Sequence, residues 1–310
     1  QISTVRVASV PGHPSSPNTR LNLALGLLLG LALGVGLAVL REVLNTKIRG
    51  VDDVENLTSA PVLGAIAYDP EVVDRPLITQ ESPQSARSEA YRRLRTNIQF
   101  LGVDGTERAI VLTSSLPGEG KSSTAINLAI TMAAAGSRVA LVDADLRRPS
   151  LAKYLGIEGS AGLTTVLIGR ANVTDVIQPW GNGNLDVITS GQVPPNPSEL
   201  LGSARMAGLI THLTDSYDMV LIDAAPLLPV TDAAILARLV GGAVIVVGAN
   251  TLHKQQLIGA FETLRAVSAR MLGIVVNRVP AQASGHYGYS YDEYTSTPDG
   301  SLSHDGSKKH

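Results

Sequence analysis

From position 21 to position 40 every residue except Asn22 is apolar or glycine, and the run is bounded by Arg20 and Arg41 rather than patterned on one face. Twenty residues at about 1.5 Å each cover a hydrocarbon core of about 30 Å, so the pattern predicts a transmembrane helix over 21–40 rather than a buried core helix. Gly26, Gly30 and Gly34 recur every four residues. They leave one face on which a second helix can approach closely, although glycine is frequent in membrane helices in general. Arg41, Lys47 and Arg49 crowd the C-terminal flank against Arg20 on the other side. The positive-inside tendency therefore puts everything after Arg41 in the cytoplasm.

Residues 41–84 read as a juxtamembrane segment and linker: a short charged stretch, an apolar patch beginning at Ala60-Pro61, then a Pro- and Asp-containing connection. A helical pattern runs from Ser85 to about Gln99. Over 85–280 apolar, β-rich runs at 109–113, 139–143, 185–189, 219–223, 243–247 and 273–276 alternate with helical segments. That alternation predicts an α/β domain, a mainly parallel sheet flanked by helices. After Pro280 the composition shifts to Gly, Ser, Tyr, Asp and Thr without periodicity, which predicts a flexible tail over 281–310.

Composition narrows the chemistry. The 310 residues are 44% hydrophobic and 17% charged, with a formal charge of −2, so no global basic field is available to hold nucleic acid. The absence of cysteine removes disulfides, thiolate metal sites and cysteine nucleophiles together. The first residue is Gln, and twenty polar, Pro-rich residues precede the apolar run. The chain is therefore expected to be the C-terminal piece of a longer protein.

Directly after the run ending at Thr113 comes Ser114-Ser115-Leu116-Pro117-Gly118-Glu119-Gly120-Lys121-Ser122-Ser123, followed by a helical stretch. Strand, glycine loop, Lys-Ser and helix stand in the order of a P-loop. Glycines let backbone N–H groups turn toward phosphates, the helix N-terminus adds partial positive charge, Lys121 reaches the outer phosphates and Ser122 ligates Mg²⁺. Ser115 stands where the strict pattern has its first glycine. Two later strands end in carboxylates, Asp143-Ala144-Asp145 and Asp223. The C-terminal edge of a parallel sheet is where ligands bind, and Mg²⁺ prefers oxygen ligands together with phosphates. Strand-end aspartates also cap helices, so each alone has a structural reading. Asn277, ending the last strand, carries an amide suited to a base edge.

On these motifs the chain resembles the bacterial tyrosine kinases fused to polysaccharide co-polymerases. Ser115 to Ser122 resembles that family's Walker A, Val142-Asp143-Ala144-Asp145-Leu146-Arg147-Arg148-Pro149 its Walker A′ and Leu221-Ile222-Asp223-Ala224-Ala225-Pro226 its Walker B. Residues 190–201, with Pro194-Pro195-Asn196-Pro197-Ser198-Glu199-Leu200-Leu201, resemble a family signature outside the nucleotide site. The Walker B ends Asp-Ala-Ala-Pro where the family more often has Asp-Thr-Pro-Pro. Leu116 stands where the MinD and ParA partitioning ATPases, of the same fold, carry an extra lysine.

The resemblance implies a P-loop NTPase fold over 85–280 and a kinase using ATP and Mg²⁺. Pro117, Gly118, Glu119, Gly120, Lys121, Ser122, Ser123 and Asn277 are then expected at the nucleotide, Ser122, Asp145 and Asp223 at the metal, and Lys121, Asp143, Asp145 and Asp223 in catalysis. It also implies that residues 1–20 end an extracytoplasmic co-polymerase domain. The protein would sit in the bacterial inner membrane with its kinase domain cytoplasmic. Implied partners are a polysaccharide polymerase and export machinery and a protein-tyrosine phosphatase.

Glu89, Arg92 and Arg95 fall near one face of a helix. By spacing this is a solvated charged face; by resemblance it assembles subunits into a homo-oligomeric ring. Tyr287, Tyr289, Tyr291 and Tyr294 put four of the chain's eight tyrosines into eight residues. They read as a low-complexity segment or, beside a phosphoryl-transfer domain, as phosphoacceptors. A MinD/ParA-like ATPase switch and an ATP-dependent oligomeric scaffold are the competing readings.

Overall fold

A computed structural model describes residue 12 and residues 17–70, 77, 79, 83–101, 108–181 and 183–280. Two compact units are separable, residues 1–46 and residues 47–310. In the first, helix α1 (Thr19–Leu44) contains the predicted 21–40 run. Its stretch Thr19–Arg41 is long and apolar enough to cross a membrane, and its leucines are exposed along its length.

The second unit is built on eight strands: β1 (Val62–Ala67), β2 (Ala109–Ser114), β3 (Val139–Ala144), β4 (Gln178–Trp180), β5 (Leu185–Ile188), β6 (Met219–Ala224), β7 (Ala243–Gly248) and β8 (Met271–Val279). They form one sheet in the order β1-β8-β7-β2-β6-β3-β5-β4, parallel except for the β4–β5 pair. The helices are α2 (Val51–Glu55), α3 (Ala86–Leu101), α4 (Lys121–Ala134), α5 (Leu151–Leu155), α6 (Leu163–Leu167), α7 (Pro197–Leu201), α8 (Ala204–Ser216), α9 (Asp232–Leu239) and α10 (Lys254–Ala266).

Central strands are buried on both faces, which is why they read as continuous apolar runs instead of alternating ones. Their side chains nevertheless divide with period two. Val111, Val142, Val220 and Ile222 enter one core with residues of α2, α6, α8, α9 and α10. Ile110, Leu112, Leu141 and Leu221 enter the other with Tyr91 and Leu94 of α3, Ile126 and Leu128 of α4, and Leu151 of α5.

The 41–84 stretch, expected as a linker, contributes to the sheet: β1 pairs in parallel with β8. Six residues between Pro61 and a polar connection are too short to show a period, and only the pairing reveals a strand. Ahead of it, fully buried Ile48 packs in the first core with Val51 and Val54. Its N–H donates to the Leu252 carbonyl at 2.9 Å and its carbonyl accepts from Asn250 N–H at 2.7 Å. The segment around Ile48 is thus tied to the loop after β7.

Parallel strands bring all their C-terminal ends to one edge. There the register sets Asp143 of β3 directly beside Asp223 of β6, and Asp223 beside Leu112 of β2, two residues short of the glycine loop. Truncating Ile48 to alanine removes buried contacts that nothing nearby replaces, at a cost of about 2–5 kcal/mol. A urea-unfolding midpoint of Ile48→Ala equal to that of the wild type would contradict this placement of the juxtamembrane segment.

Candidate active site

The loop after β2 reaches α4 through Gly118 and Gly120, at φ 85° and 92°. Gly120 is required twice over, because a Cβ there would lie 2.1 Å from Asn277 Nδ2. Helix α4 starts at Lys121, so its free N–H groups face the loop's hollow. The Walker B loop braces this one, with Leu227 N–H donating to the Ser114 carbonyl at 2.8 Å and Leu228 N–H to that of Ser115 at 3.2 Å.

Lys121 Nζ lies 2.8 Å from Asp145 Oδ2, 3.3 Å from Asp223 Oδ1 and 3.1 Å from Ser122 Oγ. One ammonium therefore faces a cluster of three buried carboxyl groups, with Asp143 completing it. Burial disfavours the charge on Lys121, but Asp223 and Asp145 outweigh it and hold its pKa above the usual lysine value. Burial raises Asp143, reinforced by Asp223 alongside, and burial also raises Asp223, against the opposing pull of Lys121.

The carboxylates are not equivalent. Asp143 Oδ2 accepts from Ser150 and Leu151 N–H at 3.1 and 3.0 Å, tying down the start of α5, and its Oδ1 accepts from Asp145 N–H at 3.3 Å. Asp145 Oδ1 takes the N–H groups of Arg147 and Arg148, leaving Oδ2 for Lys121. Asp223 Oδ2 is buried with no partner.

A cavity of about 860 Å³ opens over this cluster. Pro117, Gly118, Gly120, Lys121, Ser122 and Ser123 line it together with Asp145, while Asp143 and Asp223 lie beneath. Sequence reasoning missed Arg278, Lys153 and Tyr154 on its wall. Arg278 sits at φ 60° in an irregular stretch of the β1–β8 pairing, a feature no composition signal announces.

Asn277 is spent on the loop: Nδ2 donates to the Glu119 carbonyl at 3.0 Å and Oδ1 accepts from Arg278 N–H at 2.9 Å. One Nδ2 hydrogen and one Oδ1 lone pair remain beyond these bonds. Glu119 lies inside the fold, its Oε2 accepting from Leu116 N–H at 2.8 Å and its Oε1 from Gly248 N–H at 3.0 Å. It clamps the glycine loop to the end of β7.

A Mg²⁺-nucleotide fits these residues. Asp223 Oδ2 is an oxygen ligand in want of a partner, Ser122 Oγ is adjacent, and the glycine loop leaves room for phosphates. Among the described residues no three carboxylates or imidazoles form a self-sufficient metal cage. That suits a cation held by one or two carboxylates plus phosphate oxygens.

Elsewhere, Arg92 Nη1 pairs with Glu89 Oε2 at 2.7 Å within α3, and Arg95 Nη1 reaches toward the Thr131 carbonyl at 3.5 Å. Tyr287, Tyr289, Tyr291 and Tyr294 lie outside the described residues.

A model of the ParA family, described as NUBPL iron-transfer P-loop NTPase, matches residues 105–292. Tyrosine-protein kinase YwqD of Bacillus subtilis is 40% identical over 217 residues, covering 70% of this chain and 92% of YwqD. Tyrosine-protein kinase etk of Escherichia coli K12 is 36% identical over 216 residues, 69% of this chain but 30% of etk. The solved kinase domain of Escherichia coli tyrosine kinase ETK superposes with a TM-score of 0.71 at 32% identity, covering 78% of this chain and all of that domain.

Burial pushes the Glu119 carboxyl up to about 7, against three backbone N–H groups that favour its charged form. A folded pKa above the unfolded value means the fold prefers the proton. The stabilisation is complete below about pH 4.5 and is lost as the pH rises to about 7. The stability of the wild type relative to Glu119→Gln should fall across that window by on the order of 3 kcal/mol and then level off. Urea unfolding at a series of pH values checks this; a difference independent of pH would contradict the burial of a titrating Glu119.

Proposed function

Because the chain belongs to the bacterial tyrosine-protein kinases, on a ParA-like P-loop NTPase fold, we propose that it is a membrane-anchored kinase that phosphorylates its own C-terminal tyrosines from Mg-ATP. The observation that carries this is Lys121, held 2.8 and 3.3 Å from two buried carboxylates on the floor of a glycine-loop cavity. Such a group is charged, largely buried and on the wall of the cavity that phosphates would enter.

In this reading the loop N–H groups and the start of α4 bind the phosphates, and Lys121 leaves the carboxylates for the outer phosphate oxygens. Ser122, Asp145 and Asp223 would hold Mg²⁺, which would supply charge neutralisation at the transferring group. A tyrosine oxygen attacks the γ-phosphorus as the bond to the β-phosphate oxygen breaks, and the hydroxyl proton passes to a carboxylate. Asp143 is the base by basicity, since burial and Asp223 raise its proton affinity. Asp145 has the better access, since it lines the cavity. Positioning and charge neutralisation carry most of the rate.

The acceptors are Tyr287, Tyr289, Tyr291 and Tyr294, delivered by a neighbouring subunit of a ring assembled through Glu89, Arg92 and Arg95 of α3. Helix α1 anchors the chain in the inner membrane with residues after Arg41 in the cytoplasm. Each phosphate adds about −1.5 to −2 charges, so phosphorylation builds repulsion that loosens the ring. The output is control of capsule or exopolysaccharide polymerisation and export, reset by a protein-tyrosine phosphatase. The ParA-like family model favours one second reading, an ATPase switch whose output ignores the tail.

Mass spectrometry of the purified chain after incubation with Mg-ATP separates the two. Phosphotyrosine is expected among the four tail tyrosines and should drop by at least about 100-fold in Lys121→Met. An unmodified wild-type tail, or phosphotyrosine persisting in the Lys121 variant, would count against the kinase.

A further inference from the structure

Residues 190–201 resemble a signature that lies outside the nucleotide site, yet one of them touches a residue that lines the cavity. Arg147, in the loop after β3, directs Nε to Asp232 Oδ2 at 2.8 Å and Nη2 to Asp232 Oδ1 at 3.1 Å. Nη2 also reaches Ser198 Oγ at 3.2 Å, and Ser198 Oγ donates to Asp232 Oδ1 at 2.5 Å. Asp232 opens α9 and is fully buried, whereas the Arg147 side chain is 39% exposed, on the cavity wall. Three segments distant in sequence thus meet on one guanidinium.

The arrangement fixes direction. A buried carboxylate is costly unless paired, so Asp232 holds its partner firmly. The bidentate contact uses the Nε and Nη2 edge of a planar group, and Nη1 has no hydrogen bond among the described residues. Two N–H donors therefore remain for an anion. Position identifies which one. The glycine loop follows β2, with β6 and then β3 on one side of it, and Lys121 reaches toward Asp145 on the β3 side. Arg147 follows two residues later, its N–H fixed on Asp145 Oδ1. Lys121 and Arg147 thus line one cavity, both in contact with Asp145.

We propose that Arg147 receives the terminal phosphate of a bound nucleoside triphosphate, and that Asp232 and Ser198 are positioning residues that aim it. The 190–201 segment then acts on the site through Ser198. The inference rests on the nucleotide reading of the cavity and is independent of where the phosphoryl group goes.

The test compares the affinity of the full chain for Mg-ADP with that for a Mg²⁺ complex of a non-hydrolysable β,γ-imido triphosphate. Arg147→Ala and Arg147→Lys should each lower the preference for the triphosphate by about tenfold, since lysine cannot make the side-on bidentate contact. Ser198→Ala and Asp232→Asn should lower it by roughly three- to tenfold. Mg-ADP affinity should hold in all four. Equal weakening of both nucleotides, or an unchanged ratio, would overturn the assignment. Where Asp232→Asn fails to fold, Ser198→Ala and Arg147→Lys decide by the same ratio. If the ratio moves as expected while the wild-type tail carries no phosphotyrosine, the anion site stands and the kinase reading falls.

Discussion

The site depends on one buried ammonium among three carboxyl groups. Lys121 is drawn to Asp145 and Asp223, with Asp143 close behind, at an edge from which water is largely removed. Unpaired, each of these charges would cost several kcal/mol. Together they are under-compensated, because one positive charge cannot balance three negative ones. Burial raises the proton affinity of both Asp143 and Asp223, with Asp223 adding to it at Asp143 and Lys121 opposing it at Asp223, and the negative surplus suits a divalent cation together with phosphates. In the proposed mechanism Lys121 exchanges these carboxylates for phosphate oxygens. The same arrangement that makes these buried charges tolerable suits a Mg²⁺-nucleotide.

The rest of the domain holds that cluster in register. Parallel pairing of β3 with β6 and of β6 with β2 sets the aspartates side by side and brings the glycine loop over them. Glu119 and Asn277 fasten the loop to the ends of β7 and β8, and Leu227 and Leu228 fasten it to the loop after β6. Asp143 fastens the start of α5. Asp223 Oδ2, by contrast, is buried without a partner.

Much of this was legible in the sequence because it is local. The strand–glycine loop–helix succession needs only neighbouring residues, and the doubly buried strands show as apolar runs without any partner being known. The apolar run inside α1 is likewise a property of consecutive residues. What was hidden is what distant segments create. β1 is too short to display a period and exists because β8 lies alongside it. Asp232 reads as an ordinary first-turn acid, and only the fold brings Arg147 and Ser198 to it across 85 and 34 positions. Glu119 is expected at the nucleotide from its place in the glycine loop, but its carboxylate accepts from Gly248, 129 positions away, and lies inside the fold. The different surroundings of Asp143 and Asp145 were hidden for a related reason: spacing puts both at a strand end, and only the fold buries Asp143 while leaving Asp145 on the cavity wall.

The central claim is that this edge delivers the γ-phosphoryl group to tyrosine and not to water. Incubating the purified chain with γ-labelled Mg-ATP and following the label over time measures that partition directly. The account predicts that label appears as phosphotyrosine in the 287–294 cluster ahead of inorganic phosphate. Release of all the label as inorganic phosphate, with none on tyrosine, would contradict it.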